Sequence, residues 1–104
     1  MPFVGKRLAI EYRSGLRVRG HYKSATELTW EALSGPAKGT TGSETIHAIE
    51  VAPDVYFINW LEAAGTTVSQ VLDFNMRNVA AFVTFEAAGR RQGMLDTGTF
   101  EEER

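Results

Sequence analysis

The sequence predicts an all-β protein, an antiparallel up-and-down barrel of about eight strands. Apolar and polar side chains alternate over most of the chain, which is the pattern of a strand with one buried face. Short turn sequences such as Ser14-Gly15 and Pro53-Asp54 separate these runs. No run has the period of an amphipathic helix. Closure into a barrel is favoured because an open sheet of this size would expose its edges.

The first four predicted strands follow from alternation and its interruptions. Phe3–Tyr12 places Leu8 and Ile10 on one parity and Ala9 on the other, and it stops at a turn. Leu16–Lys23 alternates most regularly, and its even-numbered face is predicted to be buried. Thr26–Leu33 carries Trp30 on its apolar side. Glu44–Val51 changes parity halfway along, which predicts a bulge.

The last four predicted strands are separated by shorter turns. Val55–Glu62 places Trp60 on an inward face, and Thr66–Asn75 is rich in β-branched residues. Val79–Glu86 is a further strand, and Gln92–Phe100 has the weakest pattern. These elements predict a single barrel over residues 1–100, because 104 residues suffice for one core only.

Two segments are predicted to lie outside the strands. The stretch 34–43 contains Gly35, Gly39 and Gly42, and it is long for a hairpin connection, so we expect a rim or lid over the barrel mouth. The acidic residues at 101–104 are predicted to form a frayed tail.

Composition limits the classes of function. Eleven basic residues against thirteen acidic ones give a net charge of -2, which predicts no nucleic-acid partner and no membrane partner. The absence of cysteine excludes disulfides and sulfur-bound zinc. Two distant histidines predict no metal site, and we expect no cofactor. Without a secretory signal pattern, the expected location is cytoplasmic.

Five aromatic side chains are the candidate walls of an interior ligand site. They are Tyr12, Tyr22, Trp30, Tyr56 and Trp60. Rings of this kind orient a flat ligand between apolar surfaces, so the predicted partner is an apolar or aromatic small molecule. The alternative is that the rings simply fill the barrel.

Two polar residues are candidate handles for that ligand. Glu44 enters a strand directly after the glycine loop, where a carboxylate at the mouth could act as a base or bind an amine. It could equally be a surface carboxylate paired with lysine. His47 shares parity with Ile49 and Val51 and could reach inside to relay protons, or could be a hydrogen-bonded wall residue.

Three functional hypotheses remain open at this point. The first is a barrel that binds a small molecule in its interior. The second is an enzyme that acts on such a molecule through Glu44 or Tyr12 as acid or base. The third is a filled barrel that serves in assembly, as a homodimer through the outward Phe57, Leu61 and Phe82.

Several motifs together resemble the MoaF-like domains, and the resemblance covers Phe3 to Phe85. The motifs are Thr29-Trp30-Glu31, Gly35-Pro36-Ala37-Lys38-Gly39, Glu44, the run from Val55 to Glu62, Gly65-Thr66-Thr67-Val68-Ser69, and Asp73-Phe74. This resemblance implies a calycin-type, lipocalin-like barrel related to molybdenum cofactor biosynthesis protein F. It implies association with a gene cluster more than a defined activity.

The chain is also similar, more distantly, to the bacterial phenolic acid decarboxylases. That resemblance implies a tyrosine pair on the first strand, an arginine after the glycine loop, and a glutamate before the Tyr-x-x-x-Trp strand. Here Tyr12 matches one tyrosine, but Ile10 takes the place of the other. The arginine falls at or near Thr40 and the glutamate at Pro53, which argues against decarboxylation by that mechanism.

Overall fold

The computed structural model describes residues 1–103, which form a closed barrel of antiparallel strands. In chain order the strands are β1 (Lys6–Tyr12), β2 (Arg17–Tyr22), β3 (Glu27–Ala32), β4 (Thr41–Ala52), β5 (Val55–Leu61), β6 (Thr67–Asp73), β7 (Asn78–Ala87) and β8 (Arg90–Glu103). Each strand pairs with its neighbours in the chain, and β8 returns to pair with β1. The predicted all-β, up-and-down barrel is confirmed. No helix within the described residues is long and apolar enough to cross a membrane.

The two ends of the barrel differ. Because successive strands run in opposite directions, the turns after β1, β3, β5 and β7 share one end, which we call the open end. The turns after β2, β4 and β6 share the other, which we call the closed end. The segment 1–5 also lies at the closed end, where Gly5 N–H donates to the carbonyl of Tyr22 at 2.7 Å.

Aromatic rings fill the closed end. The Phe3 ring is fully buried and packs edge-on against Tyr22 and Tyr56, with centroid separations of 5.8 Å and 5.2 Å. Phe74 extends the cluster, 6.0 Å from Tyr56 and 5.0 Å from Phe100. Edge-to-face pairs at these distances are favourable beyond their buried area. The interior of the barrel at the closed end is therefore packed with aromatic rings.

Most side chains that the alternation predicted to point inward are buried in the barrel. In β5 the inward residues Tyr56, Ile58 and Trp60 are all buried. The bulge predicted in the fourth strand is present, since the pairing of β4 with β5 shifts register between Glu50 and Ala52.

The acidic C-terminal residues are ordered strand, contrary to the predicted frayed tail. Residues 101–103 continue β8 and pair with β1. Glu102 accepts a hydrogen bond from Lys6 Nζ at 2.8 Å, and Glu103 forms an ion pair with Arg19. Lys6 and Glu102 lie on the neighbouring strands β1 and β8, whereas Arg19 reaches Glu103 from β2, on the other side of β1; both ion pairs favour the ordered conformation. Arg104 lies outside the described residues.

The segment between β3 and β4 is shorter than the predicted loop 34–43. Strand β4 already begins at Thr41, because Thr41 and Gly42 pair with Glu31 and Trp30 of β3. The remaining loop reaches over the open end, where Ala37 contributes to the cavity wall.

The outer surface carries exposed apolar side chains on the strands where they were expected. Phe57, Leu61 and Phe82 all point outward and are exposed. The homodimer through this face stays a prediction.

Candidate ligand cavity

The open half of the barrel encloses a cavity of about 270 Å³. Its walls come from every strand except β4, together with the loop at Ala37 and the turn that follows β5. Most lining side chains are aliphatic or aromatic, which is typical of small-molecule sites. The interior is therefore packed at one end and hollow at the other.

Small residues at inward positions leave this space. Gly20, Ala32 and Ala81 lie on the wall from three different strands, and none of them has a side chain larger than a methyl group. Protein interiors are otherwise close-packed, so truncated side chains on facing strands produce a void unless neighbours move in. The neighbours are held in place by the polar contacts described next.

A buried amide links two tyrosines in the cavity wall. Tyr22 donates its hydroxyl hydrogen to Gln70 Oε1 at 2.6 Å, and Gln70 Nε2 donates to the Tyr12 hydroxyl at 3.3 Å. All three side chains line the cavity and are buried. Burial raises the pKa of both Tyr12 and Tyr22, so both remain neutral phenols at physiological pH.

Two tryptophan–glutamate pairs flank the mouth of the cavity. The Trp30 indole donates its N–H to Glu44 at 3.0 Å, and the Trp60 indole donates its N–H to Glu62 at 3.1 Å. Glu62 lies on the cavity wall, whereas Glu44 does not. Partial burial raises the pKa of Glu62, and the nearby charge of Glu44 adds to that rise, while the Trp60 hydrogen bond opposes it.

A buried aspartate fixes one part of the rim. Asp96 lies on the cavity wall and accepts a hydrogen bond from Ser14 Oγ at 2.5 Å and from its neighbour's N–H, that of Thr97, at 3.0 Å. The first of these bonds ties the turn after β1 to β8. A carboxylate held in this way defines the edge of the opening and cannot swing freely into it.

Most of the predicted wall residues lie on the cavity. Tyr12, Tyr22, Trp30 and Trp60 all line it. Tyr56 does not, because it lies four residues nearer the closed end than Trp60 on β5 and packs among the rings there. Its hydroxyl faces Glu50 at 3.4 Å.

The two predicted polar handles lie away from the cavity wall. Glu44 does not line the cavity, but it accepts a hydrogen bond from the indole of Trp30, which does. His47 is exposed on the outer face of β4, because the inward residue beside it is the buried Ile46. His47 shares parity with Ile49 and Val51 as expected, but both of these are exposed as well. The expectation that His47 reaches inside is therefore corrected.

Sequence reasoning missed three polar residues on the wall: Glu62, Gln70 and Asp96. A signal for two of them was present. Glu62 continues the even-numbered inward face of β5 by one step, and Gln70 lies on the same inward face as Val68. Asp96 lay in the segment with the weakest alternation and gave no comparable signal.

The charges on the cavity wall are of one sign. Glu62 and Asp96 are the carboxylates among its lining residues, which include no lysine, arginine or histidine. Among residues 1–103 there is also no cluster of three or more histidine, aspartate or glutamate side chains suited to a metal ion.

Known proteins share the sequence pattern and the fold of this barrel. The MoaF-like family matches residues 4–96, which is most of the chain. This chain belongs to the MoaF-like family. The resemblance drawn from the motifs around Trp30 and Trp60 is therefore confirmed.

Two relatives place this MoaF-like barrel among known proteins. A probable phenolic acid decarboxylase of Vibrio cholerae serotype O1 is 31% identical over 72 residues, which are 68% of this chain and 41% of that protein. The MoaF-like chain thus spans less than half of that relative's length. A crystal structure from Burkholderia vietnamiensis, provisionally described as a beta-lactamase, superposes with a TM-score of 0.89 at 28% identity. The match covers 99% of this chain and 97% of the other.

Proposed function

We propose that this protein binds one apolar or aromatic small molecule in the cavity at the open end of its barrel. The observation that carries the proposal is the uneven interior. Aromatic rings fill the closed end, while about 270 Å³ remains between apolar walls at the other. An apolar cavity of about 150 Å³ in another protein accepts benzene, so this one suits a molecule of one or two rings.

The mouth of the cavity supports the same proposal. Trp30 and Trp60 lie on the wall with their indole N–H groups bonded to carboxylates, so the ring faces and edges are held in place. Rigid aromatic walls bind a flat ligand at a small cost in conformational entropy. The cytoplasmic location expected from the sequence stays a prediction.

Calorimetric titration tests the proposal. The purified protein is titrated with a series of one-ring and two-ring compounds, and heat, stoichiometry and the melting temperature are followed. We expect binding of one molecule per chain, a negative heat-capacity change because apolar surface is buried, and a rise in melting temperature. Absence of binding across the whole series would refute the proposal.

A second candidate is an enzyme that acts on the bound molecule. The 31% identical relative is described as a probable phenolic acid decarboxylase, which supports this possibility. The sequence-based candidates for acid and base were Glu44 and Tyr12. The geometry favours Glu62 over Glu44, because Glu62 is on the wall and its pKa is raised, a property useful in general acid chemistry. Tyr12 is suited to donate a hydrogen bond, since burial keeps it neutral.

Two matched substitutions separate binding from catalysis. Glu62→Gln keeps the shape of the side chain and the acceptor for the Trp60 indole, but removes the titrating group. Glu44→Gln does the same beside Trp30, off the wall. An enzyme loses turnover of a carbonyl or phenolic substrate in the first variant and keeps binding. If no compound is converted by the wild-type protein, the binding function stands alone.

A further inference from the structure

The hydroxyl groups of Tyr12 and Tyr22 share a single amide, that of Gln70. Tyr22 donates to Gln70 Oε1, and the other end of the amide donates from Nε2 to the Tyr12 hydroxyl oxygen. An amide has one end that accepts and one end that donates. Two phenols at opposite ends of it cannot both donate to it.

One phenol hydrogen is therefore left over. In this arrangement it belongs to Tyr12, whose hydroxyl accepts from Gln70 and makes no hydrogen bond as a donor to any of residues 1–103. If the amide were turned over, Tyr12 would donate to it and the Tyr22 hydrogen would be left over instead. Both tyrosines line the cavity, so either orientation leaves a phenol donor without an acceptor on a residue of the cavity wall.

The nearby carboxylate of Asp96 accepts hydrogen bonds from other groups but none from Tyr12. Asp96 accepts from Ser14 Oγ and from the backbone N–H of Thr97. Its charge lies close enough to contribute to the raised pKa of Tyr12, after the larger effect of burial. A buried donor without an acceptor destabilises the protein. A bound molecule that supplies an acceptor removes this destabilisation.

The charges on the cavity wall also limit which ligands it can accept. Glu62 and Asp96 both lie on it, and no basic side chain does. A carboxylate or phosphate entering the cavity would lose its hydration and meet carboxylates instead of a cation. The acceptor that suits the Tyr12 hydroxyl is therefore an uncharged one, such as a carbonyl oxygen.

We infer that the ligand of this cavity is an uncharged carbonyl compound, with its carbonyl oxygen accepting the hydrogen of Tyr12 and its apolar body between Trp30 and Trp60. This inference rests on the proposed function and narrows its ligand class. It excludes aromatic acids in their ionised form, and it predicts preference for a ketone, aldehyde or ester over a hydrocarbon of equal shape.

Three compounds of matched shape test the inference on the wild-type protein. Methyl naphthyl ketone, isopropylnaphthalene and naphthoate differ in the acceptor and the charge but little in size, and acetophenone, cumene and benzoate repeat the comparison with one ring. Calorimetry should give an affinity for the ketone about fivefold higher than for the hydrocarbon, as one net hydrogen bond provides. The carboxylate should bind most weakly of the three.

A substitution at the donor repeats the test from the protein side. In Tyr12→Phe, the affinity ratio of ketone to hydrocarbon should fall about fivefold, because the variant lacks the hydroxyl donor. Tyr56→Phe is the matched control, because it removes a phenol hydroxyl at the closed end, away from the cavity. That control should leave the ratio unchanged. The wild-type comparison stands even if Tyr12→Phe does not fold.

The outcomes separate this inference from the proposed function. Equal binding of ketone and hydrocarbon, or tightest binding of the carboxylate, would overturn the carbonyl inference and leave small-molecule binding intact. No binding of any compound in either set would overturn both. A ratio that falls equally in Tyr12→Phe and Tyr56→Phe would contradict the role given to Tyr12.

Discussion

The indole ring of Trp30 covers Gly42 on the neighbouring strand, and a Cβ atom at residue 42 would lie only 2.5 Å from its Nε1. The two residues are direct partners between β3 and β4. The ring thus occupies the space that a side chain at 42 would need. Trp30 itself lines the cavity, whereas Gly42 under its ring does not.

Gly42→Ala should displace the Trp30 ring and weaken its hydrogen bond to Glu44. We expect a loss of about 1–3 kcal/mol in the free energy of unfolding, the usual cost of overpacking. Urea unfolding and tryptophan emission measure the two effects. Ser43→Ala is the control, because Ser43 is exposed on the same strand. Unchanged stability and emission in Gly42→Ala would show that the ring is not held as described.

Phe3→Ala should open the closed end of the barrel. Phe3 is fully buried and packs against both Tyr22 and Tyr56, so its removal leaves a cavity and should cost about 3–5 kcal/mol. Phe82→Ala removes an equal ring that is 46% exposed on the outer face, and should cost much less. Thermal and urea unfolding compare them. Equal losses in the two variants would contradict the assignment of Phe3 to the core.

Glu62 should give the protein a defined pH dependence. Burial raises its pKa in the folded state above the ordinary value, so the folded protein binds more protons than the unfolded chain between those two pKa values. Stability should therefore fall as pH rises through this interval and then level off.

Comparison with a variant isolates this contribution. Glu62→Gln lacks the titration, so the wild-type protein should lose stability relative to it as pH rises above about 4.3, the ordinary glutamate pKa, and through the raised pKa of Glu62. Urea unfolding across this range measures the difference. Glu86→Gln, at an exposed position, should run parallel to the wild type. A constant difference between the wild type and Glu62→Gln would refute the raised pKa.

The sequence was sufficient to predict the barrel and the faces of most strands. Alternation has a period of two, and this fixes which side chains share a face. For that reason Tyr22, Trp30 and Trp60 were correctly predicted to point inward. A bulge was also predicted in the fourth strand, and β4 does shift register against β5, but between Glu50 and Ala52, beyond the expected change of parity.

Alternation does not predict how far along the barrel axis a side chain lies. Tyr56 and Trp60 share a face of β5, yet one lies in the solid end and the other on the cavity. That difference depends on where Phe3 packs, which is a contact distant in sequence. His47 was misplaced because the exposed apolar residues Ile49 and Val51 on its parity resembled a buried face.

The most direct test of the cavity as a ligand site is to fill it. Ala81→Phe places a ring into the open half from an inward position of β7, and Ala80→Phe places the same ring on the adjacent outward position. Calorimetric affinity for methyl naphthyl ketone is the measurement. Binding should weaken at least about tenfold in Ala81→Phe and stay at the wild-type level in Ala80→Phe. Wild-type affinity in a folded Ala81→Phe variant would contradict the interior ligand site.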